Sequence, residues 1–532
     1  MLVVCWCAGL LSVLATGNYS TTYVSLNRQD LCLGASAAGD ALRFNAENYT
    51  LKSLQMPDGE VVSYKAYEGI YYVKNVEDST YQTLNLYVPF GVKDTDSVPI
   101  LLRTYVGGYM ASTAKTPSAT DATGRALKEG YVVCIPGSRG ANSVVKRNGE
   151  EVYTGIAPNG LLDLKAAVRY LHYNDEVMPG DANRIFTDGT SAGGAMSALL
   201  GATGNGKDYE PYLEKMGAAP ARDEVFAAIC YCPITDLEHA DCEYEWLYSC
   251  TNDGIRGLDE SQKAVSEELA ALCPDYLRSL NLTTPSGEKL TADNYRNYLK
   301  NLLMASMQRA LQEGAEIPDS IGVVFYQEKP DFMGAGSRRS RPSGERRFPE
   351  GLDGREAPSF GPAGRPPRME LHTDFVADLN LDRYLTYVAS VTPLKTPPAF
   401  DQEGVLVETA SPENKVFGNA QGESANFTTF SLQRRTKDSN AVLDEELRHR
   451  IYLMNPMNFI GRGSQTTLAG HWYIRHGARD RDTSFLVPVN LATKLQNTGV
   501  EVDFALPWNR PHTGDYNLDD LFAWMKRVAE EK

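Results

Sequence analysis

The stretch Gly189-Thr190-Ser191-Ala192-Gly193 can do nucleophilic chemistry if the serine sits on a sharp turn between a strand and a helix. Its flanks meet that condition. Arg184-Ile185-Phe186-Thr187 is β-like and Ala195 to Leu200 is a good helix former, so Ser191 falls at the junction. Gly189 and Gly193 give so tight a turn the room it needs, and the helix N-terminus offers the Ala192 N–H to a developing negative charge. A serine hydroxyl is too weak an acid to ionise near neutral pH, so attack on an ester requires a neutral imidazole to take its proton. By itself G-x-S-x-G is a weak pattern, and a glycine-rich turn without chemistry is the better reading until a base and an acid are found.

The last part of the chain supplies both. His471 to His476 reads as a strand, Gly477 to Asp482 as the loop leaving it, Phe485 to Gln496 as a helix and Val500 to Leu506 as a second strand before the Pro507 to Asp515 loop. A closing helix follows, with Leu518, Leu521, Phe522, Met525 and Val528 on one face. Asp480 and His512 thus each lie in a loop after a late strand. The order Ser191, Asp480, His512 is the chain order of α/β-hydrolases. His512 is the candidate base, and Asp480 would fix its tautomer and stabilise the imidazolium. The second oxyanion donor is expected from Tyr105-Val106-Gly107-Gly108-Tyr109, after a strand over Val98 to Thr104, with the Gly108 N–H joining that of Ala192. For Gly107-Gly108 an ordinary strand-ending turn is the competing reading.

These groups predict an α/β-hydrolase fold with a large inserted cap. The chain has 532 residues, 42% of them hydrophobic and 23% charged, enough for a large core. Between the elbow and His471 lies far more chain than one strand and one helix require. Core is therefore expected over 46–234 and 471–532, with a cap or lid over 235–470 that is rich in helical patterns such as Ala292 to Gln312. Within the cap, Gln327 to Arg368 is rich in Gly, Pro, Ser and Arg and poor in aliphatics, which predicts a flexible insert. A net charge of −16 argues against a nucleic-acid partner, and no basic stripe offsets that acidity. No metal or cofactor motif is read, no membrane span is expected after residue 20, and a monomer is expected.

Met1 to Gly17 is almost wholly apolar and reads as a secretory signal, although no Lys or Arg precedes the apolar run. A secreted or cell-envelope protein is the expectation, and a cytoplasmic one the alternative; residues 18–45 read as a poorly ordered leader. Nine cysteines do not decide the compartment. Cys230, Cys232, Cys242 and Cys250 form a local cluster, for which buried free thiols are a better reading than zinc ligands because Cys230-Tyr231-Cys232 alternates in an apolar run. Cys242 with Cys250 is left open as one disulfide that an oxidising compartment would allow.

From about Leu84 to Trp524 the sequence resembles the bacterial tannases, or tannin acyl hydrolases. The resemblance runs through Tyr105 to Tyr109, Gly180 to Ile185, Gly189 to Gly194, Tyr231 to Ile234, Leu237 to Asp241, Pro398 to Asp401, Ser411 to Asn414, Arg475 to Gly477, Asp480 to Ser484, Asp503 to Trp508 and Pro511-His512. It implies that Ser191, Asp480 and His512 are the triad and that Gly108 and Ala192 form the oxyanion hole. It further implies that Lys395, Glu413 and Asp482 bind the gallate hydroxyls while Ile234 and Pro412 flank its ring. Any one of these three charged residues alone reads as an ordinary surface ion pair. The insert and the leader have no counterpart in the resemblance. Fungal tannases carry cysteines beside the catalytic Ser and His, whereas here the neighbours are Thr190, Pro511 and Thr513.

The expected function is a serine esterase acting on galloyl esters and tannins through an acyl-enzyme. The alternatives are a feruloyl or other aromatic-acid esterase, and a hydrolase fold kept for binding alone, against which the intact Ser, Asp and His argue.

Overall fold

The computed structural model describes residues 40–327 and 374–531. The apolar leader and almost all of the Arg-rich insert read from the sequence lie outside the described residues. Nine strands form one sheet: β1 Thr50–Gln55, β2 Val61–Tyr71, β3 Thr83–Pro89, β4 Pro99–Arg103, β5 Val132–Pro136, β6 Asp181–Thr190, β7 Ala227–Tyr231, β8 His471–Arg475 and β9 Glu501–Ala505. Their order is β1-β2-β3-β5-β4-β6-β7-β8-β9. The first three strands and β5 pair antiparallel, and every pair from β5 to β9 is parallel. This is the α/β-hydrolase arrangement.

The central strands are buried on both faces, as parallel strands between helical layers must be. Their side chains alternate accordingly. Ile100, Leu102, Val132, Cys134, Ala228, Cys230, Trp472 and Ile474 pack with the helices Asn159–Tyr173, Ala192–Ala202 and Leu486–Thr498. Leu101, Val133, Ile135, Ala227, Ile229 and Tyr473 point the other way, against Ala122–Lys128 and the closing helix Leu518–Glu530. Leu521, Phe522, Met525 and Val528 of that closing helix are buried, the face that its periodicity marks out.

Between β7 and β8 the described chain adds no strand to this sheet. It contributes helices, among them Leu237–Tyr248, Glu260–Leu280, Ala292–Gln312 and Leu381–Val391, and a separate two-stranded pair, Val323–Gln327 with Asp374–Leu379. One expectation needs correction, and one open pairing is decided. Residues 40–45, read as the end of a disordered leader, carry Leu42 and Phe44, which are buried in the core; Asn174 holds this segment, accepting from the Phe44 N–H at 2.8 Å and donating to the Leu42 carbonyl at 2.9 Å. The cysteines among the described residues are all free, so Cys242 and Cys250 form no disulfide: Cys250 is exposed, while the buried Cys242 donates to the His239 carbonyl at 3.1 Å and neighbours Cys273. No described helix is long and apolar enough to cross a membrane.

Candidate active site

Because β4, β6, β7, β8 and β9 run parallel, the loops at their C-terminal ends share one edge of the sheet. That edge gathers the candidate groups. Ser191 follows β6 directly, with φ 63° and ψ −125°, and opens the helix Ala192–Ala202. A non-glycine residue with positive φ is strained, and such strain concentrates at functional turns. The turn survives because its neighbours lack side chains: a Cβ on Gly189 would strike the Gly193 carbonyl, and one on Gly194 would come within 2.6 Å of the Tyr231 oxygen. Backbone bonds fix it further, from Ser191 N–H to the Tyr231 carbonyl at 2.9 Å and from Ile234 N–H to the Ser191 carbonyl at 3.3 Å.

The Asp480 loop is laid along the His512 loop, through Ala478 N–H to Pro507 O at 2.9 Å and Arg479 N–H to Arg510 O at 3.0 Å. Asp480 is fully buried, and its Oδ2 accepts from His512 Nδ1 at 2.7 Å while Oδ1 accepts from the Asp482 N–H at 2.8 Å. Burial by itself would raise the Asp480 carboxyl, but His476, His512 and the Asp482 N–H outweigh it and hold it at about 2. Burial likewise pulls His512 down, and the bond to Asp480 overcomes this and raises it above the ordinary imidazole value. An imidazole whose Nδ1–H is fixed on a carboxylate has Nε2 free to act as a base. The His512 loop also rests on the elbow, since Gly514 packs against Thr190 and the Cys232 thiol donates to the Thr513 carbonyl at 3.4 Å.

The turn after β4 reaches the start of the elbow helix, where a Cβ on Gly193 would stand 2.9 Å from the Val106 carbonyl. In that turn Gly108 and Tyr109 both take left-handed backbone, with φ of 54° and 55°. The Ala192 N–H belongs to the first helical turn, whose amides have no acceptor within the helix.

The three charged residues assigned by resemblance come from separate segments, and both carboxylates fall within electrostatic reach of Lys395. Burial lowers the Lys395 ammonium, opposed by Glu413, Asp482 and Asp241, and burial raises the Glu413 carboxyl, opposed by Lys395. Lys395 Nζ stands 3.8 Å over the Phe400 ring, and Asp482 is joined to His512 and Asp480 by ligand-type atoms that all lie within 4.8 Å of each other. Ile234 is buried, its carbonyl accepting from Tyr109 OH at 2.7 Å; Pro412 is exposed at the first turn of the short helix Pro412–Val416 that carries Glu413.

Several positioning groups escape a sequence reading. The Tyr244 hydroxyl donates to the Arg481 carbonyl at 2.8 Å and accepts from the Lys395 N–H at 3.0 Å, which ties the cap to the acid loop. Asp401 is buried, and its carboxylate accepts from Asn414 at 2.7 Å, Asn426 at 2.8 Å, and the Phe427 and Thr428 N–H groups at 3.0 and 2.7 Å, so it organises the segment around Glu413. A separate cleft of about 630 Å³, lined by Arg309, Trp508 and Arg510 among others, contains none of the candidate residues.

A family model described as BD-FAE matches residues 84–264. No curated protein sequence matches the chain. Among solved structures, a Fusobacterium nucleatum tannase is similar at 36% identity and a TM-score of 0.75, over 92% of this chain and 99% of its own. A tannin acyl hydrolase from Lactobacillus plantarum is similar at 34% identity and a TM-score of 0.74, over 93% and 100%. The chain belongs to the bacterial tannases. A further tannin acyl hydrolase, solved in complex with ethyl gallate, is 35% identical with a TM-score of 0.75. The protein is accordingly a carboxylic ester hydrolase, as its tannase relatives are.

Proposed function

We propose that this tannase hydrolyses galloyl esters by a serine mechanism. Ser191 Oγ attacks the ester carbonyl while His512 Nε2 takes its proton and Asp480 holds the imidazolium through Nδ1–H. The oxyanion receives the Gly108 and Ala192 N–H groups. His512 then returns the proton to the leaving alcohol, and water attacks the galloyl-serine by the same route to release gallic acid.

What supports the galloyl reading above other esters is the placing of Lys395, Glu413 and Asp482 beside the His512–Asp480 pair. A galloyl ring presents three adjacent phenolic hydroxyls, which two carboxylates and an ammonium can accept from and donate to. Asp482 also has Arg481 at 3.2 Å, so the discrimination falls chiefly on the buried Lys395 and Glu413, which rings without those hydroxyls leave without a polar partner on the ligand. The test is hydrolysis of methyl gallate beside methyl ferulate and p-nitrophenyl acetate. A large preference in kcat/KM for methyl gallate is expected, and equal or better turnover of the ferulate would overturn the assignment.

A further inference from the structure

A cysteine, a histidine and an aspartate meet behind the proposed triad. Cys232 lies one residue past β7, His476 one residue past β8, and Asp480 four residues further on; all three are fully buried. The Cys232 sulfur, a His476 ring nitrogen and an Asp480 oxygen all lie within 4.8 Å of one another. The histidine is the unusual member. Neither of its ring nitrogens has a hydrogen-bond partner among the described residues, although Nδ1 faces Asp480 Oδ2 at 3.5 Å. Buried polar groups are nearly always paired, and one left unpaired needs a reason.

We propose that Cys232, His476 and Asp480 form an inhibitory site for thiophilic divalent cations of the zinc and cadmium class. Thiolate, imidazole and carboxylate together suit such ions, whereas magnesium and calcium call for oxygen alone. With Zn–S at about 2.3 Å and Zn–N at about 2.0 Å, the three groups must draw together by roughly 1 Å, within the reach of side-chain rotation. On binding, the Cys232 S–H bond gives its proton to solvent as the metal–sulfur bond forms, and His476 and Asp480 Oδ2 each donate a lone pair. Oδ2 is the oxygen that accepts from His512 Nδ1 at 2.7 Å. The cation therefore competes with His512 for its orienting carboxylate, while the segments bearing Lys395 and Glu413 are untouched. Inhibition then falls mainly on kcat, with KM changed only so far as Asp482, whose N–H bonds Asp480 Oδ1 at 2.8 Å, follows the displaced carboxylate. The inhibitory consequence rests on the triad reading; the binding does not.

A second grouping, Asp480 with Asp482 and His512, offers a different outcome. A cation there would sit among the proposed gallate ligands, compete with substrate and need no cysteine. The experiment uses the full chain, stripped by a chelator. With Co²⁺ as the probe, wild type should show thiolate-to-cobalt charge-transfer absorption that is absent in Cys232→Ser and weakened in His476→Asn, the second variant serving if the first does not fold. Zinc titration with methyl gallate should lower kcat reversibly, and Cys232→Ser should raise the half-inhibiting concentration at least tenfold, each variant being compared with its own metal-free rate. Cobalt absorption that survives in both variants, a smaller change in zinc sensitivity, or inhibition competitive with methyl gallate overturns the proposal. Cysteine-dependent cobalt absorption without loss of turnover removes the inhibitory role and tells against Asp480 as the triad acid, while leaving the binding site itself in place.

Discussion

Arg103 and Asp515 form a two-pronged ion pair, Nη1 to Oδ1 at 3.1 Å and Nη2 to Oδ2 at 2.6 Å, that ties the end of β4 to the loop carrying His512. The same guanidinium bonds Asp188, three residues before Ser191, in a setting where all of its charge is buried. One arginine thus binds the nucleophile strand and the base loop together. Asp515→Asn keeps the side chain's shape while weakening this link, and is expected to lower kcat by about tenfold with KM nearly unchanged, since the base moves and the ring pocket does not. Arg103→Met strands two carboxylates and should cost about 3–5 kcal/mol in denaturant unfolding. A loss below about 1 kcal/mol would show that the network is not holding the edge of the sheet.

The proposed roles of Ser191, His512 and Asp480 differ in how much each removal should cost. Ser191→Ala should lower kcat on the order of 10⁶-fold with fold and ligand affinity retained, and His512→Ala should be comparably severe. Asp480→Asn leaves a carbonyl for His512 but favours the wrong tautomer, so a loss near 10⁴-fold is expected. Single-turnover kinetics on methyl gallate would check the series. Activity within tenfold of wild type in Ser191→Ala would remove it as the nucleophile.

Glu413 and Asp482 separate a gallate site from a general esterase. Alanine at either position should reduce kcat/KM for methyl gallate by about 2 kcal/mol or more, because a charge-assisted bond to a phenol is lost. Turnover of p-nitrophenyl acetate, which has no such hydroxyls, should change much less. If both substrates fall in parallel, the carboxylates serve the structure and the gallate reading loses its main support.

Asp401 makes a prediction about the cap. Its carboxylate takes two backbone N–H groups and two asparagine side chains in a fully buried place. Asp401→Ala leaves those donors unpaired and should cost about 3 kcal/mol or more. The damage is expected to be local, seen as easier proteolysis between 401 and 430 and a raised KM for methyl gallate, with p-nitrophenyl acetate turnover largely kept. A KM that stays at the wild-type value would uncouple this hub from Glu413.

The sequence reveals what is local and hides what is assembled. The elbow at Ser191, the strand His471–Arg475 and the closing helix all follow from neighbours a few residues apart, whose spacing carries the period of the element. Order along the chain then sufficed to pair Asp480 with His512. Arg103, by contrast, is an apolar strand's last residue with nothing nearby to pair with, and its partners stand 85 and 412 positions away. Asp401 and Tyr244 are hidden for the same reason. Free thiols are what the alternation of Cys230-Tyr231-Cys232 suggests, and the open Cys242–Cys250 pairing shows that closeness in sequence is not closeness in space: Cys242 turns inward toward Cys273, and Cys250 lies exposed beyond the end of its helix.

The shifted ionisations of Glu413 and Lys395 predict how substrate preference varies with pH. Burial raises the Glu413 carboxyl above the ordinary glutamate value, so as pH falls it takes up its proton earlier than an exposed glutamate would and stops accepting from a phenol. Burial lowers the Lys395 ammonium below the ordinary lysine value, so as pH rises it gives up its proton earlier and its positive charge is lost. The ratio of kcat/KM for methyl gallate to that for p-nitrophenyl acetate should therefore be bell-shaped, because the shared titration of the base cancels between the two substrates. Glu413→Gln should flatten the acid limb and Lys395→Met the alkaline limb. Ionisation of the methyl gallate phenols acts equally on wild type and variant, so the alkaline limb is assigned by the change that Lys395→Met produces. A ratio that is flat with pH in wild type, or limbs that persist unchanged in both variants, would mean that neither charge reads the galloyl ring.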